Sequence, residues 1–243
     1  MKQMVQSLSK PLKDVLDNNA VRWSLAIFLT LRIGLSALAV IVISLRPLPE
    51  GGHERYVASF GLSPVSAPAE RLLLEVWQRW DVLHYQRIAA HGYTDDESTA
   101  FYPSYPALVR LLGSILGGNH LLAGIAICSL AFPAALTLLS KLTEQDLGEE
   151  VAQRTTLYIS VFPTAFFFFV PYPEALFLLL ILVAFYAARH GHWVAASVSA
   201  TLASVTRMPG VLLLLPPGYE YLEQTGLNLR RARWQALLPP LIL

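Results

Sequence analysis

Charge and cysteine are both scarce in this chain of 243 residues. Lys, Arg, Asp and Glu make up 14% of it, against about 25% in an average soluble domain. With 54% hydrophobic residues and a mean hydropathy of +0.48, that deficit excludes an ordinary soluble domain and predicts an integral membrane protein. A formal net charge of +1 leaves nothing in the overall balance to attract nucleic acid. The single cysteine, Cys128, lies inside an apolar run. No intramolecular disulfide can form, and cysteine usage does not identify the compartment. Metal-site signals are weak: His84 and His91 are not on convincing ligand spacing, and Asp95-Asp96-Glu97 lacks the alternation of a calcium loop, although these acids could still hold a divalent ion. No internal repeat or low-complexity stretch is present, so residues 1–243 read as one membrane domain.

What is present is a series of apolar runs. Lys2, Lys10, Lys13 and Arg22 precede residues 23–45, a run longer than a secretory signal's apolar region and therefore expected to be a first transmembrane helix. Arg32 sits within it and should face other helices, a cavity or a lipid head group. Residues 46–103 form a polar loop whose first part is broken by Pro47, Pro49, Gly51, Gly52, Pro64 and Pro68. Residues 69–91 contain neither Pro nor Gly, and Gly92 stands where a C-terminal cap belongs, which predicts one interfacial helix. Residues 105–116 would reach only about 18 Å against an apolar core of about 30 Å, so they read as re-entrant or interfacial. Residues 120–142 are long enough to cross, with Pro133 as a kink, and a charged turn is expected at 144–154. Four shorter runs follow, at 155–170, 175–188, 193–205 and 210–221, in the manner of discontinuous helices whose ends line a cavity. The basic cluster Arg230, Arg231 and Arg233 precedes a last run too short to span alone, as in a fragment or a terminal half-helix.

The one long polar-aromatic segment is 77–106, WQRWDVLHYQRIAAHGYTDDESTAFYPSYP. On helical spacing Trp77, Asp81, His84, Tyr85 and Ile88 share a face. If the N-terminus is cytoplasmic, as its basic residues and the later arginine cluster suggest, strict alternation brings Asp81, Tyr172-Pro173-Glu174 and Arg207 out on the opposite side. Asp81 could be a functional carboxylate or an ordinary helix-surface acid. Arg207 could hold a phosphate or snorkel to head groups, and Glu174 could bind hydroxyls, pair with Arg207 or sit in a plain turn.

Trp80-Asp81-x-x-His84-Tyr85, Gly92-Tyr93, Phe101-x-Pro103-x-Tyr105-Pro106, Tyr172-x-Glu174 and Thr206-Arg207-x-x-Gly210 together resemble the PIG-V-like mannosyltransferases. That family belongs to the GT-C glycosyltransferases. The resemblance implies an all-α, polytopic transmembrane protein that takes a sugar, most often mannose, from a polyprenyl-phosphate donor. The acceptor would be a lipid or membrane-tethered molecule, reached at the extracytoplasmic face within the bilayer. It further implies Asp81 as the catalytic base, from the family's early loop aspartate, and Arg207, Glu174, His84, Tyr85, Trp80 and Tyr172 as substrate-binding residues. No cofactor is implied. The chain departs from the family pattern at Pro173, where a small polar residue is more usual, and in its shorter length. A transporter, a lipid-binding scaffold or a subunit of a larger membrane complex is the competing reading. A transporter would spread polar residues through mid-membrane positions, whereas here they cluster toward one side.

Overall fold

A computed structural model of the chain describes residues 18–45, 51–65 and 74–224, and every regular element among them is helical. The first helix among the described residues, α1 (Asn19–Leu45), starts where the Asn18 side chain accepts the Ala20 N–H at 3.0 Å. Short α2 (Gly52–Ser59) and a 3₁₀ turn (Glu75–Trp77) lead to α3 (Asp81–His91). A 3₁₀ turn (Glu97–Ala100), α4 (Ser104–Ile115) and the central α5 (His120–Leu147) follow. After α5 come α6 (Glu149–Val161), a 3₁₀ segment (Pro163–Phe168), α7 (Glu174–Arg189), α8 (Trp193–Ser204), a 3₁₀ segment (Met208–Leu214) and α9 (Leu215–Gln224). Of these, α1 and α5 are long and apolar enough to cross a membrane.

Long-range contacts fix the directions of these helices. Gly124 near the start of α5 meets Pro171 just before α7, while Asp146 at the end of α5 accepts Arg189 Nη1–H at 2.6 Å from the end of α7. Helices α5 and α7 therefore run parallel, with α6 returning between them. Trp23 in α1 donates to Thr156 Oγ1 in α6 at 3.1 Å, and Arg32 donates to the carbonyl of Phe169 beyond α6. Thus α1 runs with α6 and against α5. The bundle has two ends: one holds the start of α1 and the Asp146–Arg189 pair, the other the starts of α5 and α7 and the end of α8.

Burial follows the same plan. Phe28, Phe132, Leu136 and Phe169 form one buried cluster where α1, α5 and the segment after α6 meet. Phe28 and Phe169 stack at 5.8 Å between ring centroids. Helices α7 and α8 approach through small side chains, Ala184, Ala187 and Ala188 against Ala196, Ala200 and Ala203. Arg32 lies over the Trp77 ring, 4.4 Å from its centroid. A ring face and a backbone carbonyl thus receive the cation inside this apolar helix.

Four expectations need correction. Residues 69–91 are not one helix: the 3₁₀ turn ends at Trp77, Trp80 takes φ +49°, and α3 begins only at Asp81. Trp77 is buried against Leu121, Ile125 and Val170, and accepting that anchor turns it away from the face of Asp81. The charged turn at 144–154 shrinks to Gly148 alone, at φ +84°, because its Glu and Arg residues are spaced i,i+4 and remain helical. Run 155–170 divides where Phe162 leaves helical geometry ahead of Pro163, a residue that cannot donate an amide hydrogen. Run 210–221 splits into 3₁₀ and α segments. Pro133 stays inside an unbroken α5. The basic N-terminal residues 2–13, residues 69–73 and residues 230–243 lie outside the described residues.

The turn after α8 has almost no spare room. A Cβ built on Gly210 would fall 2.5 Å from the carbonyl carbon and oxygen of Ala203. Gly210→Ala should cost about 1–3 kcal/mol, the range for overpacking a tight site. Gly34 in α1 has nothing within 4 Å of its virtual Cβ, so Gly34→Ala should be neutral or slightly stabilising. Thermal stability of the two purified variants, compared by the fraction remaining monodisperse after heating, checks the contrast.

Candidate functional site

The polar end of the bundle holds a cavity of about 260 Å³. Asp81 and Tyr85 reach it from α3, Tyr172 and Glu174 from the start of α7, and Thr206 and Arg207 from the end of α8. Ala100, Tyr102, Met208 and Pro209 complete its lining.

Each of these groups is held by the fold. Tyr172 lies between Pro171 and Pro173, which fix φ on either side and leave few conformations for the loop. Its ring stacks on Phe167 at 5.4 Å, and its Oη accepts the backbone N–H of Asp81 at 3.2 Å. That hydrogen bond ties the first turn of α3 to the approach of α7, 91 residues away. Asp81 is exposed, and its carboxylate has no ion-pair or hydrogen-bond partner among the described residues.

Arg207 is positioned by the backbone around it. Its N–H donates to Ala203 O at 3.0 Å, and Gly210 N–H closes the turn on Arg207 O at 2.9 Å. The Ser104 N–H donates to Val205 O at 3.1 Å, attaching the start of α4 to this turn. The Arg207 guanidinium then pairs with Glu174 Oε1. Glu174 Oε2 is buried with no hydrogen bond. A guanidinium offers five N–H donors. The Glu174 contact engages one of them and leaves others for an oxyanion.

The two cavity tyrosines are acids too weak to ionise near neutral pH. Burial pushes the Tyr172 phenol up to about 12, and the Asp81 carboxylate adds to the rise. Burial likewise pushes Tyr85 above the ordinary phenol range, with Glu174 and Asp81 adding to it. Both therefore keep their phenolic hydrogens near neutral pH and can donate a hydrogen bond. Tyr85 is clamped edge-on by Phe101 and Tyr105 at centroid distances of 5.1 and 5.0 Å.

Two expected members lie elsewhere. His84 stacks on Phe101 at 4.8 Å, meets Phe60 edge-on at 4.9 Å and lies 3.9 Å from Glu97, so it packs α3 against the loops. Trp80 is 64% exposed and does not line the cavity. Its left-handed backbone begins α3 and so sets where Asp81 points. Sequence reasoning missed Tyr102 and Thr206 as lining residues. Both stand inside stretches it had marked, 101–106 and 206–210, as unspecified or supporting positions. Among the described residues no three His, Cys, Asp or Glu side chains gather as a metal site.

The comparisons with known proteins bear on these residues. The family model for mannosyltransferase (PIG-V) matches residues 54–219, which include the whole cavity lining. GPI mannosyltransferase 2 of Cryptococcus neoformans is 31% identical over 97 residues, 36% of this chain and 23% of that protein. GPI alpha-1,6-mannosyltransferase 2 of Mus musculus is 30% identical over 156 residues, 58% of this chain and 31% of that protein. The corresponding protein of Cricetulus griseus is 30% identical over 154 residues, again 58% of this chain and 30% of that protein. The chain thus spans less than a third of the length of these curated relatives. No solved structure matches it. Since the matched region covers more than half of the sequence and carries every element that builds the cavity, this chain belongs to the PIG-V mannosyltransferase family.

Proposed function

We propose that this chain carries the active site of a mannosyltransferase that uses a polyprenyl-phosphate sugar and acts on a lipid or glycolipid acceptor. One observation carries the reading: Asp81, Glu174 and Arg207, from three separate elements, line a single cavity at the polar end of the bundle. Sugar transfer from a lipid phosphate needs a group to accept the proton of the acceptor hydroxyl and a cationic donor for the departing phosphate. Asp81, exposed and unpaired, is the base. Arg207, already oriented by Glu174, meets the phosphate, for which its planar donors suit two oxygens at once. Tyr172 and Tyr85 donate hydrogen bonds to the sugar or the leaving oxygen, and the free oxygen of Glu174 accepts one from an acceptor hydroxyl. His84 and Trp80 act indirectly, by holding α3.

The reading includes a multi-pass membrane protein. Its cavity opens at the extracytoplasmic face, since the basic N-terminus favours the cytoplasm and the cavity lies at the end of the bundle away from the start of α1. The α7 helix, 16 residues or about 24 Å long, separates Glu174 at that end from Arg189 at the other.

Three outcomes are expected. Asp81→Asn should lower transfer from a labelled polyprenyl-phosphate mannose by about 10²–10⁴-fold while leaving the chain folded. A variant that keeps activity within about threefold of the parent, well inside that range, removes Asp81 from the chemistry. Arg207→Lys should weaken donor use even though charge is retained, because an ammonium cannot make the two-point contact, and unchanged donor kinetics would leave Arg207 a purely structural role beside Glu174. Cysteines introduced at Asp96 and His190, both exposed, should react with an impermeant thiol reagent from opposite sides of the membrane. Cys128 is 1% exposed and gives no background. Labelling of both positions from one side would overturn the topology.

A further inference from the structure

We propose that a second cavity, on the other flank of α3 from Asp81, is a seat for a neutral sugar ring. It has a volume of about 430 Å³, within the roughly 300–1,000 Å³ range of small-molecule sites. Asp81 and Tyr85 face the first cavity, whereas Gln86, Ala90 and His91 of the same helix face this one. Opposite them stand the loop 61–65 and the start of α5 with Asn119 and His120. Both cavities therefore open at the same end of the bundle, with α3 as the wall between them.

The lining decides the ligand chemistry. Among the described residues no Lys, Arg, Asp or Glu lines this cavity, whose polar side chains there are amides, imidazoles and the Ser63 hydroxyl. Gln78 and Gln86 are 3% and 5% exposed, and Gln78 Nε2–H donates to Gln86 Oε1 at 2.9 Å. Gln78 Oε1 is buried with no hydrogen bond, so it retains capacity for a donor. Asn119 Oδ1 accepts the Leu122 N–H at 2.9 Å, which orients its amide nitrogen as a remaining donor. His91 is fixed by Gly61 O at 3.2 Å. Amide side chains offer both donors and acceptors, and an imidazole offers at least one donor. A sugar hydroxyl both donates and accepts, and Leu62, Pro64, Val65 and Ala90 supply apolar surface for its ring carbons. Among the described lining residues no guanidinium or ammonium stands ready to meet a phosphate. Assigning the sugar to the acceptor glycolipid rests on the function proposed above; the binding of a neutral sugar does not.

A diazirine-bearing methyl α-mannoside, photolysed with the purified full chain in detergent and mapped by peptide mass spectrometry, tests the seat. Adducts are expected within 61–65 or 117–121, competed by excess methyl α-mannoside and not by inorganic phosphate. Ala90→Phe fills the cavity and should cut this labelling about tenfold, equivalent to about 1.4 kcal/mol of binding. Gln86→Leu should also reduce it without added bulk, which keeps the test decisive if the phenylalanine variant fails to fold. Asp81→Asn should leave it intact. Adducts confined to the Asp81 cavity, displacement by phosphate, absence of labelling, or labelling unchanged in both cavity variants would overturn the seat. Labelling in an unsubstituted chain that fails to transfer mannose supports the seat and counts against the transferase reading alone.

Discussion

The pairing of Arg207 with Glu174 is the interaction on which the arrangement of this end of the bundle depends. Each group ends or begins a mostly apolar helix, and a lone charge in such surroundings would carry a large desolvation cost. Joined, they hold the end of α8 against the start of α7. The turn that carries Arg207 is tight because Gly210 lets its backbone lie against that of Ala203. The Glu174 carboxylate is not consumed by the pair, since one oxygen remains without a hydrogen bond. The same contact thus stabilises the fold and leaves one buried carboxylate oxygen beside the cavity without a partner.

Asp81 is brought to that pair by a different device. Trp77 is committed to the interior beneath Arg32, and a continuous helix from Trp77 would keep Asp81 on nearly the same side. The break at 78–80, with Trp80 in left-handed geometry, separates the two directions. Backbone strain at a non-glycine residue persists only where surrounding contacts over-determine it. Here those contacts are the burial of Trp77, the Gln78–Gln86 amide pair and the acceptance of the Asp81 N–H by Tyr172. The network that strains Trp80 also forms the wall between the two cavities.

Much of the architecture was legible in the sequence because apolar surroundings impose simple rules. Helices α1, α4, α5, α7 and α8 lie close to the apolar runs that predicted them, since a backbone without water must satisfy its own hydrogen bonds. Asp81, Glu174 and Arg207 could be assigned to one side by counting alternations, and they line one cavity. Asn119 and Gly148 were readable as local punctuation only once their helices were known, because each ends or caps a helix whose extent the pattern left open.

By itself the sequence determined the helical class and the approximate runs, since these depend on local composition and on the period of the helix. Tertiary structure alone decided the rest. Whether Arg207 pairs with Glu174, whether His84 turns to Phe101 or to the cavity, and where the helix before Asp81 breaks depend on residues tens of positions away. A helical pattern specifies the face a side chain shares with its neighbours. It carries no information on which other helix will offer that face a ring, a carbonyl or a charge.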